Sequence, residues 1–133
     1  MENLTRNQLQ TKAMICIYQY LFYLRAGIKP EIKDIIEGAF DGEKVKIDPF
    51  IKEVVVLSIK KMPEIVENIS PLLNKWTFDR LGLIEQAILS LGYLEIKYLN
   101  IPKEVAIDIA VKLAVKYADD KSYKFINAVL EKI

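Results

Sequence analysis

One stretch constrains this chain more than any other: Trp76 to Leu99, WTFDRLGLIEQAILSLGYLEIKYL. At about 100° per residue, Gln86, Ser90, Tyr93 and Lys97 fall on one narrow face. Leu81, Leu83, Ile84, Ala87, Ile88, Leu91 and Leu94 sweep most of the remainder. An apolar arc that wide exceeds what one neighbour can cover, so the spacing predicts a central helix with partners on at least two sides. Glu95 lies in the middle of the arc. Either the helix is ending there and the carboxylate reaches water, or it needs a pairing group.

The rest of the chain supplies helical partners. Leu4 to Arg25 reads as a first helix, polar on nearly every side through Arg6, Asn7, Gln8, Gln10, Thr11 and Lys12, then apolar all round from Ala13 to Leu24. Such a helix buries its second half and projects its first. The projecting end offers backbone N–H groups, Arg6 and Lys12, which suit a phosphate backbone; a frayed, solvated helix start is the plainer reading. Cys16 reads as a small core residue and Gly27 as the C-terminal cap. Pro30 opens a short second helix with Ile32, Ile35, Ile36, Ala39 and Phe40 inward, and Asp41 to Lys44 makes a turn. Asp48-Pro49 starts a third helix carrying Phe50, Val54, Leu57 and Ile59, which Pro63 should kink or break near Met62. After the stop at Asn100-Ile101-Pro102, a helix from Lys103 to about Ala118 carries Asp108, Lys112 and Lys116 on one polar strip. Asp119-Asp120 caps a last helix with Phe125, Ile126, Val129 and Ile133 inward and Lys121 and Lys124 outward. With 5 Gly and 5 Pro in 133 residues, this is an all-α fold: a six- or seven-helix bundle. We expect one domain of two packed helical subdomains, about 1–72 and about 76–133.

Composition narrows the chemistry. There is no histidine and one cysteine, which removes histidine-based acid–base catalysis, Cys–His nucleophiles and structural zinc clusters. No cofactor is implied, and no glycine-rich nucleotide loop is present. The net charge of +1 is too balanced for bulk attraction to nucleic acid, so an RNA or DNA site must be a local patch. No apolar run reaches the roughly 18 residues of a membrane span, and Glu2 with its polar neighbours is unlike a signal peptide. A lone thiol fits a reducing cytoplasm.

Two stretches resemble the NusB family of bacterial transcription antitermination factors. The first is Trp76, Arg80, Leu81, Ile84, Ala87, Ile88, Leu89, Leu91 and Glu95, in the pattern W-x3-R-L-x2-I-x2-A-I-L-x-L-x3-E. The second is Ile101-Pro102 followed by the tail Asp119-Asp120-Lys121-Ser122-x-Lys124-Phe125-Ile126-Asn127-x-Val129-Leu130, similar to the family's D-D-K-x-x-K-F-V-N-G-V-L. Asp48-Pro49-Phe50 and Ala13 to Gln19 also sit where the family has related segments. The resemblance implies a fold of two helical subdomains and a non-enzymatic protein. It implies binding to boxA RNA together with NusE, a ribosomal small-subunit protein, and association with the RNA polymerase elongation complex. By the same resemblance Arg6, Lys12 and Gln19, then Lys121, Lys124 and Phe125, are the RNA-binding residues. Glu95 matches a glutamate near the NusE-facing surface, its partner supplied in trans.

The chain departs from the family pattern in places. Asn7 and Gln10 stand where two arginines are expected, and Ile15 where a glutamine is common. Asp108-Ile109 replaces an N-E pair, and Asn127-Ala128 an N-G pair. Each lost phosphate contact lowers affinity and flattens its salt dependence, which leaves weak RNA binding to the protein alone. The same thinning supports a second reading, a helical protein-interaction module with little RNA affinity of its own. Phe125, spaced with Val129, also fits the core face, and the aromatic first helix suits a homodimer as well as a bundle core.

Overall fold

The computed structural model describes residues 4–40, 47–74 and 76–133. The turn expected at Asp41 to Lys44 lies outside them. The described residues form six α-helices and two single-turn 3-10 helices: α1 Arg6–Arg25, α2 Ile32–Ala39, α3 Pro49–Ile69, the turns Ser70–Leu72 and Phe78–Arg80, α4 Leu83–Lys97, α5 Lys103–Tyr117 and α6 Ser122–Glu131. No helix among them is long and apolar enough to cross a membrane.

The apolar arc of α4 does what its width requires. Every residue from Gln86 to Glu95 is buried, and α4 packs against α1, α3, α5 and α6. Gln86, Ser90 and Tyr93 of its narrow polar face are buried too, on the side of α3, and Lys97 alone is exposed. The Ser90 hydroxyl donates to the Gln86 carbonyl at 2.7 Å, and the Gln86 side-chain amide donates to the Leu81 carbonyl at 2.8 Å. The Tyr93 and Tyr98 hydroxyls both donate to the Glu64 carboxylate of α3, at 2.8 and 2.6 Å. Those bonds, Tyr98 first, hold Glu64 below the usual carboxylate range. Gly92 brings α6 close: a Cβ there would stand 2.7 Å from Leu130 Cδ1.

Helix ends follow the sequence signals. The Asp48 carboxylate accepts from the Phe50 N–H at 2.8 Å, with Pro49 in the first turn where its missing N–H costs nothing. Gly27 adopts φ +76°, and the N–H groups of Gly27 and Ile28 donate to the Leu24 and Tyr23 carbonyls, closing α1. At α6 the capping acid comes two residues early. Asp119 accepts from the Lys121 N–H and the Ser122 hydroxyl, at 3.0 and 3.1 Å, while Lys121 occupies the cap position.

Four expectations are corrected. Pro63 does not break α3, which runs unbroken from Pro49 to Ile69. Proline sacrifices one backbone bond, but Met62, Ile65 and Ile69 are buried beyond or beside it, and their packing carries the helix through. The buried face of α3 is Ile51, Val54, Val55, Ser58, Met62, Ile65 and Ile69, so Phe50, Leu57 and Ile59 sit at its half-buried margins. In α1 burial divides by face rather than by half: Gln10 is buried near the start, while Phe22 and Leu24 are exposed near the end. Ile32, at the first position of α2, is likewise exposed.

Candidate nucleic-acid interface

The first turn of α1 is built, not frayed. Thr5 Oγ1 accepts from the Gln8 N–H at 3.1 Å while Gln8 Oε1 accepts from the Thr5 N–H at 2.8 Å, a reciprocal cap. Arg6 is exposed beside it. Arg6, Asn7, Gln10 and Thr11 form one wall of a groove of about 320 Å³ whose other wall is α5, through Val105, Asp108, Ile109, Lys112, Leu113 and Lys116. The polar strip of α5 thus faces α1 across a cleft. Asp108 and Lys112 pair at 3.0 Å, and among the described residues Arg6 and Lys116 of the groove form no ion pair.

Lys12 and Gln19 lie elsewhere. The Lys12 ammonium donates to the Ala39 carbonyl at 2.9 Å and sits 4.9 Å from the centre of the Phe40 ring. It closes the C-terminal end of α2, where a positive charge is favoured by the helix dipole. Gln19 is half-buried against α2: its side chain lies 3.4 Å from where a Cβ on Gly38 would stand. Of the three α1 residues expected to meet RNA, only Arg6 faces the α1–α5 groove. The distinction is measurable. Lys12→Ala should lower stability by about 1–2 kcal/mol in urea unfolding, the cost of a charged hydrogen bond to a helix end, whereas Arg6→Ala should leave it within about 0.5 kcal/mol.

The start of α6 forms a second cationic cluster. Lys121 and Lys124 are exposed, the latter with its ammonium 5.9 Å from the Tyr123 ring centre. Phe125 is half-buried and lines two surface concavities, each shared with Trp76. Trp76, which the sequence marked only as a position of the family motif, is 58% exposed.

Glu95 does not reach water. It is 0% exposed, two residues before the end of α4, and neither carboxylate oxygen has a hydrogen-bond partner among the described residues. Burial pushes its pKa up to about 7. The nearby Gln10 side chain opposes that shift, but its amide is not positioned for a full hydrogen bond, and Gln10 Oε1 is itself unpartnered. Cys16 is fully buried in α1, its thiol pushed up to about 12, which rules out a reactive thiolate.

A family model described as the NusB family matches residues 7–133, nearly the whole chain. The chain belongs to the NusB family. Transcription antitermination protein NusB of Oceanobacillus iheyensis is 37% identical over 131 residues, which cover 98% of each chain. Among solved structures, T. maritima NusB superposes with a TM-score of 0.80 at 22% identity, over 98% of this chain and 91% of that one. A crystal structure of the antitermination factors NusB and NusE in complex with dsRNA superposes with a TM-score of 0.72 at 23% identity, over 97% and 96%. These likenesses establish the shared NusB fold. Four of the positions at which this chain departs from the NusB pattern, Asn7, Gln10, Asp108 and Ile109, line a single feature, the α1–α5 groove. The departures are therefore spatially coupled rather than scattered.

Proposed function

We propose that this chain is a non-enzymatic transcription antitermination factor of the cytoplasm that holds boxA RNA jointly with NusE and travels with elongating RNA polymerase. The observation that carries the reading is membership of the NusB family across residues 7–133. The placement of cations supports it. The net charge is only +1, yet Arg6 and Lys116 line one groove beside the Asp108–Lys112 pair, and Lys121 and Lys124 flank Phe125 at the start of α6. Local patches of this kind position a phosphate backbone without making the whole protein sticky. NusE contributes the remaining contacts. The need for that help is physical, since Lys12 is spent on α2 and Gln10 is buried. Self-association through the exposed Phe22 and Leu24 of α1 is compatible with the same role.

The alternative, an interaction module with little RNA affinity, is favoured by that same loss of free cations. A titration of labelled boxA RNA at two salt concentrations, with and without NusE and against a scrambled RNA, separates the two. The antitermination reading expects preference for boxA that NusE strengthens. It also expects Arg6→Ala and Lys124→Ala each to reduce the slope of log affinity against log salt by about 0.7–0.9, one phosphate contact apiece. No preference for boxA with NusE present leaves the interaction module as the better account.

A further inference from the structure

Three buried oxygens lack a donor among the described residues: both carboxylate oxygens of Glu95, and Gln10 Oε1. Glu95 is 0% exposed and Gln10 6%. Buried polar groups in folded proteins are matched by partners in the great majority of cases. A buried carboxylate calls for a cation or a proton, because water does not solvate its charge there. Gln10 supplies neither, and two features meet on it. Its side chain neighbours Glu95, and it lines the α1–α5 groove of about 320 Å³. Rotation of that one side chain about its own single bonds joins the groove to the carboxylate.

We propose that the inner end of the α1–α5 groove is a guanidinium-binding site, in which Glu95 takes the planar fork of an arginine-type group and Gln10 Oε1 accepts a further N–H. The donor count selects the ligand. A guanidinium presents five N–H groups in one plane, two for a carboxylate and others for an amide oxygen beside it. It also gives up its hydration more readily than an ammonium does. Val105, Ile109 and Leu113 line the groove and offer an apolar wall to a methylene stem. Arg6, Lys112 and Lys116 oppose a cation, but all three are exposed and Lys112 is paired with Asp108. Exposed charges are screened over roughly 8 Å at physiological salt, whereas a buried carboxylate is screened far less, so the attraction prevails at the inner end. The site repels phosphate and is independent of RNA binding.

Methylguanidinium chloride is titrated into the protein at pH 8, where the Glu95 carboxylate is ionised, and the melting temperature is followed. The concentrations are millimolar, far below those at which guanidinium unfolds proteins. The site predicts a saturable rise, on the order of 5 °C at ten times the dissociation constant. N-methylurea, the uncharged isostere, and methylammonium, a cation without the fork, should give none. The rise should be absent from Glu95→Gln, which keeps the shape and loses the charge, and from Gln10→Arg, which fills the site from within. N-acetyl-arginine-N-methylamide separates the two sources of the group. A rise with it assigns the site to an arginine of a protein partner, and a rise with methylguanidinium alone assigns it to a free guanidinium compound. No saturable rise, an equal rise with methylammonium, or a rise that persists in Glu95→Gln overturns the site, whatever the protein does with RNA.

Discussion

Replacing Glu95 with glutamine should stabilise the protein at pH 8 and remove a pH dependence that the wild type shows. In the folded chain Glu95 titrates at about 7, against an ordinary value of 4.5, because burial disfavours its charge. The folded state therefore holds a proton that the unfolded state releases between those two values. Stability is highest below about pH 4.5 as far as this group is concerned, falls as pH rises through the interval, and is lowest above about 7. The loss is on the order of 3 kcal/mol at about 1.4 kcal/mol per pH unit. Glu95→Gln keeps the shape without the charge and should recover much of that at pH 8 while changing little at pH 4.5. Gln10→Arg tests the same site from the other side. A guanidinium facing Glu95 favours the carboxylate and brings its pKa back toward or below the ordinary value, so the fall in stability over the interval should disappear. Urea unfolding of the three proteins across pH 4.5 to 8 measures both. A wild type whose midpoint is flat over that range, with Glu95→Gln no more stable at pH 8, would refute the assignment.

The Gln10–Glu95 arrangement also shows where the sequence stopped being informative. A carboxylate inside an apolar arc was visible as an anomaly, and so was the absence of an expected arginine at position 10. That the two anomalies are one, a buried acid facing an amide in place of a cation, depends on how α1 crosses α4. Periodicity along one helix carries no information about that crossing. Lys12 has the same lesson. Its position near the start of α1 suggested a free cation, but α2 packs alongside and its last carbonyl takes the charge. What could be read locally came through: the cap at Asp48, the positive φ at Gly27, and the broad arc that makes α4 central. Pro63 fails as a local signal for a different reason. One missing backbone bond is outweighed by the buried row from Ile51 to Ile69, which no single-residue rule weighs. Trp76 was legible as a family motif residue, but its exposure was not, since a motif position carries no information about burial.

Ile88→Ala should be among the most destabilising single changes in the chain, at about 3–5 kcal/mol, in the upper part of the range for large-to-small core substitutions. Ile88 is 0% exposed near the middle of α4, and α4 is enclosed by α1, α3, α5 and α6. The cost of such a change depends on how far the neighbours collapse into the space left behind. A helix packed on one side can shift toward the void, but α4 cannot approach one neighbour without leaving another. Ala87, Leu89 and Leu91 beside it are equally buried, which fixes the helix in rotation as well as position. The cavity should therefore persist and add its own term to the lost transfer energy. Ile32→Ala is the matched control: the same atoms are removed from an exposed site on the short helix α2, and the cost should stay below about 1 kcal/mol. Urea unfolding with unchanged slopes compares the two directly. A difference smaller than about 1 kcal/mol would mean that α4 is free to relax, and that its broad apolar arc is covered less rigidly than four neighbouring helices imply.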